Sequence, residues 1–262
     1  MLDLYYRHQG LQGNPPVVLL HGLFGSLENL GSVAKALAEE FSVYSVDLRN
    51  HGRSPHHDMM NYELMAGDII RLLDTLSLAK VMIVGHSMGG KVAMEVALRA
   101  PDRVSGVVVA DIAPVRYSPH HQQVFAGLQA LTLSSITSRA QADRDLSVYV
   151  DESAVRSFLL KNLVKTSASG FQWRMNLSAI AKHYEHIMAG QSSDSSYEKP
   201  VLFIKGGASD YIQPRHQEAI LSLFPSAGVK VVQNAGHWLH AEKPTIFNRL
   251  VSQFLNSILL TA

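Results

Sequence analysis

A serine stands between two glycines at Gly85-His86-Ser87-Met88-Gly89, where the sequence changes its periodicity. Before it, Val81–Val84 is a short β-branched run typical of a buried strand, and after it Lys91–Arg99 carries apolar residues at helical spacing. A strand that turns sharply into a helix crowds the backbone around the turn residue, so glycine is required two positions to either side. The pattern predicts that Ser87 is a nucleophile with its hydroxyl exposed at the carboxyl end of the strand. The alternative is a capping serine in a glycine-rich turn.

A serine hydroxyl becomes a good nucleophile only when a base removes its proton, and that base is typically a histidine oriented by a carboxylate. His237 follows the last predicted strand and lies downstream of the serine, as the order serine, acid, histidine requires. His240 is an alternative base, although it lies beyond the turn and in the next predicted element. The remaining interpretation of His237 is a loop histidine that caps the following helix.

Two aspartates are candidates for the acid, because each follows a predicted strand. Asp210 comes after the strand at 201–204, and Asp111 comes after the strand at 104–110. Both strand ends can lie beside the histidine loop, so the residues leave the choice open, with Asp210 slightly favoured. The alternative roles are a turn aspartate for Asp210 and a pocket-wall or helix-capping carboxylate for Asp111.

Acyl transfer also needs two N–H groups that bind the oxyanion of the tetrahedral intermediate. One is expected from Met88, the residue after the nucleophile, whose amide lies at a helix N-terminus. The other is expected from Leu23, with Phe24 as its neighbour, in the turn after the first buried strand.

All of these residues follow predicted strands, which alternate with helical patterns along the chain. The strands are mostly continuous apolar runs, as expected when both faces of a sheet are covered, and they lie at 16–20, 41–46, 81–84, 104–110, 201–204 and 229–233, with a short edge strand within 2–8. This alternation predicts an α/β fold with a mostly parallel sheet flanked by helices, in which active residues gather at the carboxyl ends of the strands.

The alternation stops between 115 and 199, where helical segments appear and no strand-like run is found. We therefore predict a core formed by residues 1–114 and 200–262 and a helical cap formed by residues 115–199. The candidate substrate-binding residues are apolar or aromatic side chains of the cap, together with residues beside the predicted site: Phe125, Phe158 and Trp173 in the cap, and Phe24, His86 and Trp238 in the core. Packing inside the cap is the alternative role of the cap residues.

Composition excludes several functional classes. The chain has 262 residues, a net charge of +1 and no charge run, so neither a nucleic acid nor an anionic membrane surface is predicted as a partner. It has no cysteine, so a thiolate nucleophile and a disulfide are impossible. The 13 histidines do not cluster with acidic residues, so no metal and no cofactor are predicted. No secretory signal or bilayer-length apolar run is evident, so we expect a cytoplasmic protein.

Together the motifs resemble the α/β-hydrolase superfamily over essentially the whole chain. They are HGLFGS at 21–26, DLRNHGRSP at 47–55, GHSMGG at 85–90, DIAPV at 111–115 and AGHWLHAEKP at 235–244. RNHG, DIAPV and LLKNL (159–163) are similar to small bacterial esterases of the YbfF type and their abhydrolase-11 relatives. The resemblance implies a serine esterase or thioesterase that acts on acyl esters and acyl-coenzyme A, with a cap inserted after the sixth strand. In that family the aspartate of DIAPV can serve as the acid, so Asp111 and Asp210 both stay candidates.

Two other functions fit the same motifs. One is a carbon–carbon lyase that uses the serine and histidine as a base, as in menaquinone-pathway members of this fold. It calls for arginines that bind an anionic substrate, and the candidates are Arg49, Arg53, Arg116 and Arg174. The other is a ligand sensor that hydrolyses slowly. Ser87 argues against the dehalogenase and epoxide hydrolase branches, which have an aspartate at that turn.

Overall fold

A twisted sheet of seven strands forms the centre of the protein. The structure is a computed structural model that describes residues 1–166 and 170–261. The strands of the sheet are β1 (Tyr6–Gln9), β2 (Pro16–Leu20), β3 (Ser42–Val46), β4 (Val81–His86), β5 (Val104–Ala110), β8 (Val201–Gly206) and β9 (Ala227–Val232), and the strands that fall between β5 and β8 in the chain lie outside this sheet. The strand order is β1-β3-β2-β4-β5-β8-β9, and only β1 runs antiparallel to its neighbour. The predicted α/β fold is confirmed.

Helices cover both faces of this sheet, and further helices lie in the segment 115–199. In chain order the helices are α1 (Gly31–Leu37), α2 (Tyr62–Thr75), α3 (Met88–Arg99), α4 (Gln122–Ala130), α5 (Arg139–Leu146), α6 (Ser153–Leu159), α7 (Leu177–Lys182), α8 (Tyr184–Met188), α9 (Gln217–Leu223), α10 (Leu239–Glu242) and α11 (Pro244–Thr261). One apolar layer packs α2 and α3 against the sheet, and a second packs α1 and α11 against the opposite face. This two-sided burial explains why β4 has no exposed residue.

The segment 115–199, called the insertion below, differs from the prediction in two details. Five strands precede it along the chain, not six. It also contains a short antiparallel pair, β6 (Leu163–Lys165) and β7 (Phe171–Trp173), where we predicted only helices. Strands of three residues are too short to show the alternation of apolar and polar residues that predicts a strand. The sequence around β6 and β7 therefore shows only the helical pattern.

Among the described residues, no helix combines the length and the hydrophobicity that crossing a membrane requires.

Candidate active site

Ser87 occupies a strained turn between β4 and α3. Its backbone has φ 53° and ψ −121°, in the region that L-residues rarely adopt. A Cβ added at Gly85 would lie 2.2 Å from the carbonyl oxygen of Gly89, and one added at Gly89 would lie 2.3 Å from that of Leu20. The two glycines are therefore required by contact with backbone, as the sequence pattern predicts.

The strand register brings three loops together at one edge of the sheet. His86 pairs with Ala110 across β4 and β5, and Ala110 pairs with Ile204 across β5 and β8. The residues that follow these strands are thus neighbours, and the loop after β9 completes the group. In this group Nε2 of His237 lies 3.0 Å from Oγ of Ser87, and Nδ1 of His237 lies 2.8 Å from Oδ2 of Asp111.

Asp111 is completely buried and accepts several hydrogen bonds. Besides His237, the N–H of Gly206 donates to its Oδ1 at 2.9 Å, and the hydroxyl of Ser209 donates to its Oδ2. Asp111 itself adopts φ 53°, and its own N–H donates to Ile204 on β8. These hydrogen bonds hold the carboxylate of Asp111 in one orientation beside His237.

Asp210 lies in the neighbouring loop, but it does not reach His237. Its side chain is exposed and makes no hydrogen bond or ion pair with the described part of the chain. The loop is held by N–H groups of Gly207 and Ala208, which donate to Val232 and Ala235, and it turns so that Ser209 is buried and Asp210 faces solvent. Of the two aspartates, the structure therefore brings only Asp111 to the histidine.

The backbone and the ring of His237 are both held in place. Nε2 of His86 donates to the carbonyl oxygen of His237 at 2.8 Å, and the ring of Tyr211 stacks on the imidazole at 4.0 Å between centroids and 21° between planes. His240 packs against His86, with ring centroids 4.4 Å apart, and forms no hydrogen bond to Ser87 within the described chain. The geometry thus favours His237 over His240 as the base.

His86 and His240, the two buried histidines near His237, are uncharged at neutral pH. Burial lowers the pKa of His86 well below its usual value and lowers that of His240 to about 4, with the neighbouring histidines adding to both shifts. Both rings are thus neutral packing partners, and Asp111 is the acidic side chain that contacts His237.

The turn of residues 21–25 lies directly against the serine. A Cβ added at Gly22 would lie 3.3 Å from Cβ of Ser87. The N–H groups of Leu23 and Met88, the two predicted oxyanion donors, have no hydrogen-bond acceptor among the described residues. The N–H of Phe24, in contrast, donates to Nε2 of His51 at 3.2 Å. The two expected donors are therefore free for a ligand, and Phe24 is held in the turn.

His51 is a supporting residue that the sequence analysis did not single out, although it lies in the RNHG string. Its Nδ1 donates to the carbonyl oxygen of Arg49 at 2.9 Å, so Nε2 of the same ring is the acceptor for Phe24. His21 has the same arrangement, because its Nε2 accepts the N–H of Leu48 at 3.0 Å. Burial lowers the pKa of His51 to about 3 and that of His21 to about 4, as these neutral tautomers require.

A cavity of about 1010 Å³ opens above Ser87 between the sheet edge and the insertion. Four of the predicted substrate-binding residues line it: Phe24, His86, Phe158 and Trp238. The other two do not. Phe125 lies behind Phe24 in a ring cluster, 5.3 Å from Phe24 and 4.9 Å from Tyr184, and Trp173 lines a separate groove on the insertion.

Lys91 is a second residue that the sequence analysis did not single out. It is fully buried on α3, and its ammonium donates to the carbonyl oxygens of Val115, at 2.7 Å, and of Ala189. Val115 is the first residue of the insertion and Ala189 directly follows α8, so one side chain ties two parts of the insertion to the helix that follows Ser87. Burial lowers the pKa of Lys91 to about 7.

Three side chains from other elements complete the surroundings of the site. Asn162, in the LLKNL string, donates to the carbonyl oxygen of Phe24 at 2.7 Å and so links the insertion to the 21–25 turn. Ser209 and Tyr211 flank Asp210 and contact Asp111 and His237. Within residues 1–166 and 170–261, no group of three or more histidine, aspartate or glutamate side chains is arranged to hold a metal ion.

Comparisons with known proteins agree with this geometry. A family described by the alpha/beta hydrolase fold matches residues 15–244. The chain is 44% identical to the mouse sn-1-specific diacylglycerol lipase ABHD11, covering 92% of this chain and 81% of the mouse protein. It is 40% identical to Esterase YbfF of Escherichia coli, covering 95% and 96% of the two chains. A solved structure titled Marine microorganism esterase superposes with a TM-score of 0.95 at 39% identity, covering 97% of this chain and all of that one.

The chain therefore belongs to the α/β-hydrolase family. Within that family, the prediction of a carboxylic ester hydrolase of the YbfF type is confirmed.

Proposed function

We propose that this protein is a serine esterase that works through an acyl-enzyme, with Ser87 as nucleophile, His237 as base and Asp111 as acid. The observation that carries the proposal is the continuous chain of hydrogen bonds from Ser87 through His237 to Asp111. Asp210, the other candidate acid, is exposed and lies outside this chain.

The reaction follows from the placement of these groups. His237 accepts the proton of Ser87 as Oγ attacks the ester carbonyl, and Asp111 stabilises the imidazolium that forms. The N–H groups of Leu23 and Met88 bind the oxyanion. His237 then gives its proton to the departing alcohol. In the second half of the reaction, His237 accepts a proton from a water molecule that attacks the acyl carbonyl, and it returns this proton to Oγ of Ser87 as the acid leaves.

The cavity favours lipophilic, uncharged esters. Its inner walls are apolar, and its volume of about 1010 Å³ has room for an acyl chain and an alcohol group of comparable size. The mouse relative is named a diacylglycerol lipase and the bacterial one an esterase. We therefore propose acylglycerols and simple esters of short to medium chain length.

Acyl-coenzyme A is the less favoured substrate because of the charges around the cavity. Four exposed carboxylates line it, and Lys161 is the exposed lysine that opposes them; the carboxylates belong to Glu28, Asp151, Glu152 and Glu242. Coenzyme A carries several phosphate charges, which this excess of negative charge repels at low salt. A thioesterase activity on acyl-coenzyme A should therefore be weaker than the esterase activity and should rise with ionic strength.

The insertion, in this proposal, is a cap that forms one wall of the acyl site, since Val124 and Phe158 line the cavity opposite Ser87. The division into a core of residues 1–114 and 200–262 and a cap of residues 115–199 remains part of the proposal. The cytoplasmic location and the lack of a nucleic-acid partner also remain predictions.

The lyase alternative lacks the arginines that it needs. Arg49 forms a buried ion pair with Asp68 at 2.6 Å, and the other three candidates also lie outside the cavity lining. These three contact other side chains: Arg53 contacts Tyr5, Arg116 contacts Glu185, and Arg174 lies 3.9 Å from Glu28.

The proposal is tested by steady-state and rapid-mixing hydrolysis of p-nitrophenyl esters of graded chain length. We expect the wild type to show a burst of p-nitrophenol followed by many turnovers, and Ser87→Ala to lose both while keeping the wild-type melting temperature. Activity that survives in Ser87→Ala would exclude the serine mechanism. A burst without later turnover would identify a sensor instead of an esterase.

A further inference from the structure

Tyr211 is connected to His237 on one side and to the insertion on the other. Its ring stacks on the imidazole of His237 with 4.0 Å between centroids. Its hydroxyl lies 2.6 Å from Nε2 of His120, which belongs to the insertion. Nδ1 of His120 donates to the carbonyl oxygen of Ser118, so in the neutral ring Nε2 accepts the proton of the Tyr211 hydroxyl.

The backbone of Tyr211 is held from the same direction. The hydroxyl of Tyr117 donates to the carbonyl oxygen of Tyr211 and accepts the N–H of Ala113 at 2.9 Å. Tyr117 and His120 both belong to the first residues of the insertion. The insertion therefore contacts both the hydroxyl and the carbonyl oxygen of Tyr211, whose own N–H donates to Ser209 in the loop after β8.

We infer that Tyr211 is a positioning residue for the base: its ring orients and stabilises the imidazolium of His237, and its hydroxyl couples that ring to His120 of the insertion. This inference rests on the proposed role of His237. The face of an aromatic ring attracts a cation, so the stacking is stronger when His237 has taken the proton of Ser87 than before. Tyr211 thus acts mainly on the step in which the charge forms, through His237.

Two side chains form hydrogen bonds with the imidazole of His237. Asp111 contacts Nδ1 and Ser87 contacts Nε2. Three further histidines lie nearby, and burial lowers the pKa of each: well below the usual value for His86, to about 4 for His240 and to about 3 for His121. They are neutral at neutral pH and so add no positive charge beside the imidazole. A change of the kcat/KM–pH profile in a variant of Tyr211 therefore reports on the lost ring.

The experiment compares Tyr211→Leu, which removes the ring, with Tyr211→Phe, which keeps the ring and removes the hydroxyl. We expect Tyr211→Leu to lower kcat about tenfold and to move the acidic limb of the kcat/KM–pH profile about half a unit to lower pH, because the imidazolium loses its aromatic partner. KM should change less than twofold. Tyr211→Phe should keep the wild-type pH profile and lose about twofold in kcat.

The link to the insertion is tested by a double-mutant cycle. His120→Ala should match Tyr211→Phe, and the double variant should be no worse than either single one. Tyr44→Leu is the matched control, because Tyr44 also packs on a histidine, His8, at 4.8 Å, far from the site at the β1–β3 edge. It should keep wild-type kinetics.

A Tyr211→Leu variant with wild-type kcat and pH profile would overturn the inference, as would equal losses in Tyr211→Phe and Tyr211→Leu or additive losses in the cycle. If Tyr211→Leu does not fold, Tyr211→Met takes its place, and the same changes in kcat and in the pH profile are expected. Ser87→Ala and Asp111→Asn are measured in the same series. Activity that survives in them would refute the proposed mechanism, whereas a loss in them beside an unchanged Tyr211→Leu would refute only the role of Tyr211.

Discussion

The loops after β5 and β8 carry the same residue type at comparable places and use it differently. Asp111 is completely buried, accepts hydrogen bonds from Gly206, Ser209 and His237, and has a positive φ. Asp210 is exposed and has no such partner in the described chain. The last residue of β8 supplies an N–H, and the loop after it supplies a hydroxyl, that together hold the carboxylate of Asp111. The comparison teaches that the direction of a turn, and not the position of an aspartate along the chain, decides which carboxylate meets the histidine.

The largest expected effect separates the two aspartates directly. Asp111→Asn should lower kcat by roughly 10⁴, as in the serine protease in which the equivalent change leaves the wrong histidine tautomer. Asp210→Asn should change kcat less than twofold, because its side chain contacts solvent. Ester hydrolysis by the two purified variants checks this. Similar losses in both would show that the loop after β8 contributes to the acid function in solution.

The next effect is expected when the hydroxyl of Ser209, which links the loop after β8 to Asp111, is removed. Ser209→Ala should lower kcat roughly tenfold, since a hydrogen bond to a charged group contributes about 1.5–3 kcal/mol and Asp111 keeps its other donors. Ser105→Ala is a suitable control, because its hydroxyl donates to Val81 at 3.2 Å at the far end of β5. Wild-type kcat in Ser209→Ala would mean that the two loops are independent.

Much of the fold follows from local patterns in the sequence. The strand runs, the elbow at Ser87 and the position of His237 after the last strand depend on spacing within a few residues, and the structure contains each of them. The resemblance of the motifs to YbfF-type esterases points to the same family as the comparisons. These features share one property, which is that neighbouring residues in the chain determine them.

The remaining features depend on contacts between distant residues. The choice of Asp111 over Asp210 depends on hydrogen bonds from Gly207 and Ala208 to the strand β9 and its loop. The burial of Phe125 behind Phe24 and the short strand that contains Trp173 depend on how the insertion packs. No sequence period signals such contacts. Tyr211 carries no sequence signal for the same reason, since only the fold places it on His237.

Burial also distinguishes His240 from His237, because His240 is buried whereas His237 is only half-buried. His240 is buried with a folded pKa of about 4, whereas an unfolded histidine has a pKa of about 6.5. Between these values the unfolded chain binds more protons, so stability falls as the pH drops below 6.5. At pH 5, His240 should cost about 2 kcal/mol of the free energy of unfolding relative to pH 8. His240→Phe should reduce the difference in urea-unfolding free energy between pH 8 and pH 5 by that amount. An unchanged difference would mean that His240 is protonated in the folded protein.

The smallest expected effect concerns two aromatic residues of the insertion, of which one lines the cavity and the other does not. Phe158 lines the cavity, with its ring 5.7 Å from Trp238, whereas Trp173 lines a separate groove. Phe158→Ala enlarges the acyl site, so the ratio of kcat/KM for a long-chain to a short-chain ester should rise about threefold, a modest share of what one methylene can contribute in an apolar pocket. Trp173→Ala should leave the ratio unchanged. Because the ratio cancels any loss of folded protein, it reports on the pocket alone. A change in Trp173→Ala without one in Phe158→Ala would place the acyl chain on the other side of the insertion.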